Sequence, residues 1–309
     1  MSDSLKVLVC TAKEQEAWRE ALSGCLPEAR VYAGLDSPEC DYAVIWKPPP
    51  EVFRQQPDLK ALFSLGAGVD GLLAMPSLPR DVPLVRMEDV GMAAQMEEYV
   101  LHAALRQFRQ IPHYEDAQAQ RKWLPEAMRA RADFCVGVLG LGVLGGAVAR
   151  ALADFGFCVS GWSRSPRSLP GVRCEYGPDG LDAVLAFSEL LLLLLPLTPE
   201  TAGLIGPANL AKLPSGAALV NLSRGALVDD AALLEALDSG RIGTAWLDVF
   251  QHEPLPPDHP YWSHPGVHVT PHVAALTPHE LACHQVAQKI RQMEQGESIT
   301  GRVDRQRGY

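Results

Sequence analysis

The stretch VGVLGLGVLGGAVARALADFG, residues 136–156, limits the fold more than any other part of the chain. An apolar run ends in Gly140, Gly142 and Gly145, spaced GxGxxG, and a helical pattern follows with Ala149 on the face that looks back toward the strand. Glycines at this spacing permit a tight turn, close approach of backbone to a pyrophosphate, and tight helix–strand packing, while the helix N-terminus offers N–H donors. The triplet alone is weak evidence. The strand before it, the helix after it and a second apolar run, FCVSGW at 157–162, together predict a dinucleotide-binding unit. Gly140, Gly142, Leu144 and Gly145 are its expected cofactor contacts.

The residue that selects the nucleotide lies roughly 20 positions on, at the end of the second strand. An acid there would accept from both ribose hydroxyls and repel a 2′-phosphate. This chain instead has Trp162-Ser163-Arg164-Ser165, with Arg167 following. Arginine presents a planar donor fork that matches phosphate, and Ser163 and Ser165 add hydroxyls. NADPH is therefore expected in preference to NADH. The competing reading is a basic surface loop without a ligand.

Before the glycine turn, short apolar runs alternate with helical stretches: KVLVC, then 13–23, YAVIW at 42–46, ALFSLG at 61–66 and PLVR at 83–86. A long helical pattern runs from Met92 through EEYVLHAALRQFRQIPHY, and a second series follows: FCVGVLG, FCVSGW, ELLLLLLP at 189–196, AALVNLS at 217–223, GTAWLDVF at 243–250 and VHVTPH at 267–272. Near-continuous apolar strands separated by helices predict parallel sheets covered on both faces. The expected fold is α/β, two doubly wound Rossmann-like domains with a cleft between them. If the closing helix, 278–296, returns to the first domain, the chain crosses twice. The expected division is 1–97 plus 279–309 as the substrate-binding domain, and 98–278 as the dinucleotide-binding domain with a dimerisation segment at 98–130.

Composition excludes several other classes. A net charge of −10, from 27 basic and 37 acidic residues, argues against nucleic acid or an anionic membrane as partner. The seven cysteines are scattered, with no CxxC, which favours reduced thiols and a cytoplasmic location. MSDSLKVLVC is too short in apolar length for a secretion signal. The longest apolar run, Leu190 to Leu195, stops at Pro196, far short of the ~20 residues needed to cross a bilayer. His264, His268 and His272 are spaced four apart, but Pro265, Gly266 and Pro271 forbid the helix that would align them, so no metal is expected.

Three functional groups fall where open α/β sheets place their ligands, after the carboxyl ends of strands: Arg224 in NLSRG, Glu253 in HEP and His272 in TPHVA. Separately, an arginine and a glutamate could form a surface ion pair, and a histidine beside proline could be structural. At these residues the chain resembles the D-isomer-specific 2-hydroxyacid dehydrogenases, and within them the members that reduce glyoxylate and hydroxypyruvate. The resemblance is carried by IWKPP (45–49), LGAGVD (65–70), GMAAQMEEY (91–99), GLGVLG (140–145), LPLTPET (195–201), NLSRGALV (221–228), LDVF with HEPLPP (247–257), TPHVAALT (270–277) and VDRQRGY at the end. It spans almost the whole chain.

The resemblance implies that His272 protonates the substrate carbonyl as hydride arrives from the nicotinamide, and that Glu253 holds the imidazole and supplies its counter-charge. It implies that Arg224 binds the carboxylate of a 2-oxo acid and polarises its carbonyl. Backbone N–H groups of Ala67, Gly68 and Val69 would grip the same carboxylate, with Trp46 and Lys47 lining that place. Asp248 would receive the nicotinamide carboxamide. Leu195, Pro196, Thr201, Leu222, Ser223 and Ala274 complete the implied cofactor contacts, Thr201 alternatively being a plain helix-start hydroxyl. Ala275 departs from the glycine common in the family. Trp123 would reach across a two-fold interface in a homodimer and limit the substrate to small acids. The implied reactions are glyoxylate to glycolate and hydroxypyruvate to D-glycerate with NADPH. Competing readings are a sister dehydrogenase acting on phosphoglycerate or a longer acid, and a nucleotide-sensing scaffold, which could dispense with the acid–base pair.

Overall fold

The computed structural model describes residues 4–309, and these form two compact units, 4–91 with 277–309 and 92–276. In chain order the first unit holds β1 (Lys6–Thr11), α1 (Gln15–Cys25), β2 (Arg30–Ala33), β3 (Tyr42–Trp46), α2 (Glu51–Gln55), β4 (Ala61–Ser64), α3 (Asp70–Leu73) and β5 (Leu84–Val85). The second holds α4 (Met92–Phe108), α5 (Ile111–Ala119), β6 (Cys135–Leu139), α6 (Val143–Asp154), β7 (Cys158–Ser163), β8 (Val172–Tyr176), α7 (Gly177–Phe187) and β9 (Leu190–Leu193). It continues with α8 (Pro207–Leu210), β10 (Ala217–Asn221), α9 (Asp230–Asp238), β11 (Ile242–Leu247) and β12 (Val267–Val269), before α10 (His279–Glu294) returns to the first unit. The expected crossing near residue 97 falls inside α4. A helix is one hydrogen-bonded rod, and α4 lies whole in the second unit.

Both sheets are parallel throughout. The first unit has strand order β2-β1-β3-β4-β5, with the order reversing between β1 and β3. The second has order β12-β11-β10-β9-β6-β7-β8, and it reverses between β6 and β9. In such sheets the crevice outside the carboxyl ends of the strands, at the reversal, is where ligands bind. Gly140 follows β6 and Leu194-Leu195 follow β9, so the glycine turn sits at that point.

The leucine run shows why the sheet is two-faced. Side chains alternate along a strand. Leu191 and Leu193 pack with Leu219, Leu233 and Leu247 on one face, and Leu190 and Leu192 pack with Val136, Val148 and Val220 on the other. A strand buried on both sides needs no polar position, hence six leucines in a row. In the first unit, Leu8, Ile45, Leu62 and Leu84 form the corresponding core. β2 and β8 were not legible as apolar runs. They are the outer strands of their sheets, with no more than half-buried residues. No helix among the described residues is long and apolar enough to cross a membrane.

Candidate active site

The glycine turn is built by close backbone approach. Gly140 has φ +106, in the region that favours glycine. At Gly145 a Cβ would lie 1.8 Å from the Gly140 carbonyl oxygen, so only glycine lets α6 start against the turn. Gly142 differs: a Cβ there would meet nothing within 4 Å. It is the exposed N-cap of α6, and no side chain caps that helix start. Uncapped N–H groups facing open space at a helix start are what a pyrophosphate requires. Leu144 is half-buried beside them.

At the end of β7, Arg164, Ser165 and Arg167 are exposed and Ser163 is buried. The Ser163 hydroxyl donates to the Ser165 carbonyl at 2.7 Å, so its proton closes the turn rather than pointing outward as the sequence suggested. A hydrogen bond from the Thr198 hydroxyl, then one from the Glu200 backbone N–H, and last the Arg164 charge hold the Glu200 carboxyl below its usual range. Glu200 lies in the turn after β9. In that turn, Thr201 Oγ1 donates to the Pro196 carbonyl at 2.8 Å and accepts from the Thr198 N–H at 2.8 Å, so its hydroxyl shapes the loop. Leu195 is buried and Pro196 exposed.

After β10, Asn221 fixes the arginine loop from within. Its amide donates to the Arg224 carbonyl at 2.9 Å, and its side-chain oxygen accepts from the Ser223 N–H at 3.1 Å. Ser223 donates to the Leu193 carbonyl at 2.8 Å, and with Leu222 it is buried. A Cβ on Gly225 would lie 2.0 Å from the Phe250 carbonyl carbon, so the loops after β10 and β11 touch at this glycine. The Arg224 guanidinium donates to the Ser223 carbonyl at 2.7 Å.

Glu253 and His272 meet. His272 Nδ1 lies 2.9 Å from Glu253 Oε2, while Glu253 Oε1 accepts from the Phe250 N–H at 3.2 Å. With Nδ1 turned to the carboxylate, Nε2 is the nitrogen left to face a reactant. This is a geometry of a positioned acid–base group: one ring nitrogen oriented by a carboxylate, the other presented.

What holds His272 was only partly visible in the sequence. Its backbone is left-handed, φ +58, unusual for a residue with a side chain. Asp248, 2 % exposed, accepts from the N–H groups of Val273 and Ala274, each at 2.9 Å, and from the Thr270 hydroxyl at 2.6 Å. Its own carbonyl accepts from the His272 N–H at 2.8 Å. Because Thr270 spends its one proton on Asp248, the Tyr99 hydroxyl, 2.8 Å from Thr270 Oγ1, is the donor in that contact. Asp248 thus knots the histidine loop, and Thr270 and Tyr99 extend the knot to α4. Sequence reading missed these two.

The other histidines have separate tasks. His264 lies 3.3 Å from Asp238, and His268 stacks on Trp246 at 4.0 Å. In the first unit, a Cβ on Gly66 would lie 2.2 Å from the Trp46 ring, so glycine there lets the indole lie on the LGAGVD turn. Ala67 and Gly68 are half-buried, Val69 is buried, and Lys47 is exposed with φ +45. Trp123, Leu124 and Met128 lie in an irregular segment and are 94 %, 47 % and 100 % exposed.

Residues 101–274 match the model of the D-isomer specific 2-hydroxyacid dehydrogenase, NAD binding domain. The chain is 43% identical over 303 residues, 96% of this chain and 97% of the relative, to the glyoxylate/hydroxypyruvate reductase A of Yersinia enterocolitica. A D-isomer specific 2-hydroxyacid dehydrogenase from Xanthobacter autotrophicus Py2, solved with NADPH and MES, superposes with a TM-score of 0.94 at 43% identity, over 99% of this chain and 100% of that one. An NADPH-dependent glyoxylate/hydroxypyruvate reductase from Sinorhizobium meliloti, solved with NADP and sulfate, does so with a TM-score of 0.92 at 41% identity, over 99% and 100%. Matched along nearly its whole length and folded as two Rossmann-type units, the chain belongs to the D-isomer-specific 2-hydroxyacid dehydrogenases, which are oxidoreductases.

Proposed function

We propose that this chain reduces small 2-oxo acids with NADPH, glyoxylate to glycolate and hydroxypyruvate to D-glycerate. The observation that carries the reading is the 2.9 Å contact between His272 Nδ1 and Glu253, at the carboxyl ends of strands in a dinucleotide-binding unit. The names of the relatives from Yersinia and Sinorhizobium supply the substrates.

NADPH, when bound, supplies the hydride. The residues that would hold it are Gly140, Gly142, Leu144 and Gly145 at the pyrophosphate, Ser163, Arg164, Ser165 and Arg167 at the 2′-phosphate, and Leu195, Pro196, Thr201, Leu222, Ser223, Asp248 and Ala274 along the rest. The uncapped start of α6 and the absence of an acid at the end of β7 fit a nucleotide with a third phosphate. His272 holds a proton at Nε2 and gives it to the carbonyl oxygen that becomes the hydroxyl. Glu253 keeps the ring turned so that Nε2 faces outward. Arg224 pairs with the substrate carboxylate and draws electron density from the adjacent carbonyl. Ala67, Gly68 and Val69 bind the carboxylate through backbone N–H groups, with Trp46 and Lys47 beside them.

The chain works as a homodimer in this reading, and the exposed apolar side chains of Trp123, Leu124 and Met128 are the motive for it. The test is loss of NADPH absorbance on adding glyoxylate or hydroxypyruvate, repeated with NADH and with a panel of longer 2-oxo acids. Specificity constants highest for the two small acids with NADPH are the expected result. Binding of NADPH without consumption by any of them would overturn the reading.

A further inference from the structure

All seven cysteines are free thiols, and most are poorly placed to react. Cys10, Cys40 and Cys283 are buried, and burial pushes the Cys40 thiol up to about 11 and the Cys283 thiol up to about 12. A thiol rather than a thiolate is a weak nucleophile. Cys174 lies opposite Gly161 in the sheet, with no thiol across the ladder.

Cys135 and Cys158 stand apart. They are the first residues of β6 and β7, and they are partners in register. Neighbouring strands lie ~4.7–4.9 Å apart, and partners in register carry their side chains on the same face. A disulfide needs Cα atoms ~4.4–6.8 Å apart, so strand spacing alone brings the pair into range. Cys158 is exposed and Cys135 half-buried. The Cys158 N–H donates to the Phe134 carbonyl at 3.2 Å at the very start of the β6–β7 ladder, and strand ends adjust more readily than strand centres.

The two thiols also differ. Burial, then the charges of Cys158 and Glu189, push the Cys135 thiol up against the opposing Arg129. The exposed Cys158 is the better first nucleophile, and Cys135 is placed to resolve.

We propose that Cys135 and Cys158 form a redox-active dithiol, a modification site for small-molecule disulfides at the amino-terminal edge of the second sheet. The Cys158 thiolate attacks one sulfur of RS–SR, a Cys158–SR bond forms, and RS⁻ leaves and takes up the proton that Cys158 released. The Cys135 thiolate then attacks the Cys158 sulfur, the Cys158–SR bond breaks, and a second RSH departs with the Cys135 proton. Two protein thiols lose two electrons and the small disulfide gains them. β6 and β7 lead at their other ends to Gly140 and to Ser163-Arg164, so the link staples the two strands that carry the nucleotide-binding turns.

The test is full-length protein treated with excess glutathione disulfide, followed by intact mass and peptide mapping. Wild-type protein is expected to lose two hydrogens, to give peptides joined through Cys135 and Cys158, and to revert with dithiothreitol. Cys135→Ser is expected to stop at one glutathione on Cys158. A wild-type chain that accumulates a stable glutathione on Cys158 without the link, or that leaves both residues unmodified, would overturn the proposal. Mass is read independently of turnover, so this failure is distinct from failure of the reductase reading.

Discussion

His272 holds a left-handed backbone that costs a residue with a side chain on the order of 1–3 kcal/mol, and such a conformation persists where its surroundings over-determine it. Asp248 and Thr270 supply that constraint. Thr270→Val removes a hydrogen bond to a buried carboxylate, so kcat for glyoxylate should fall about ten- to a hundredfold, the range of a bond to a charged group. KM for NADPH should move much less, and Thr270→Ser should recover most of the loss. Steady-state kinetics of the two variants checks this. At the ribose end, Arg164→Asp replaces a phosphate donor with a repelling charge and should raise KM for NADPH roughly tenfold or more. An unchanged preference for NADPH over NADH would contradict the assignment. At this scale the pairing of Glu253 with His272 and the close approach at Gly145 were legible, because charge and glycine geometry mark them. Thr270 and Tyr99 were not, because a threonine after a strand and a tyrosine in a helix are ordinary, and only folding shows that they meet.

Elements are held by burial on both faces and by ion pairs between neighbours. Leu192 is fully enclosed in β9, and Leu192→Ala should destabilise by ~2–5 kcal/mol, read as a shift of the denaturant midpoint. Polar ties give stability its pH dependence. Hydrogen bonds from Lys60 and then Tyr42 hold the Glu294 carboxyl on α10 below its ordinary value of 4.5. A lowered carboxylate contributes stability above the unfolded value, and loses it as pH falls through the folded one. Burial, and then the Arg106 charge, lowers His268 from 6.5, so the folded chain resists a proton that the unfolded chain accepts, and stability begins to fall below that pH. Both shifts act in one direction: Tm should decline from about pH 6.5 downward and more steeply below about 4.5, with a shallower acid limb in Glu294→Gln. The apolar central strands were legible as elements. β2 and β8 were not, because these two outer strands carry no fully buried residue and have no need of an apolar run.

For the whole molecule, alternation of strands and helices was enough to read two parallel α/β units, since only burial on both faces tolerates runs such as LLLLLL. The place where the chain leaves the first unit was not legible, because the periodicity of α4 runs unbroken across the residues where a boundary was sought. Periodicity likewise carries no information on assembly. If Trp123 lies in a subunit interface and limits the acids accepted, Trp123→Ala should weaken the dimer in light scattering or admit longer 2-oxo acids. Retention of both properties would remove that role.

The most direct measurement of the central claim is turnover of glyoxylate by His272→Ala, followed by NADPH absorbance, with NADPH binding measured on the same protein by fluorescence. Loss of a positioned acid should lower kcat by about 10²–10⁴-fold while nucleotide affinity stays near that of the parent. Turnover close to the parent's, with NADPH bound as tightly, would contradict the account.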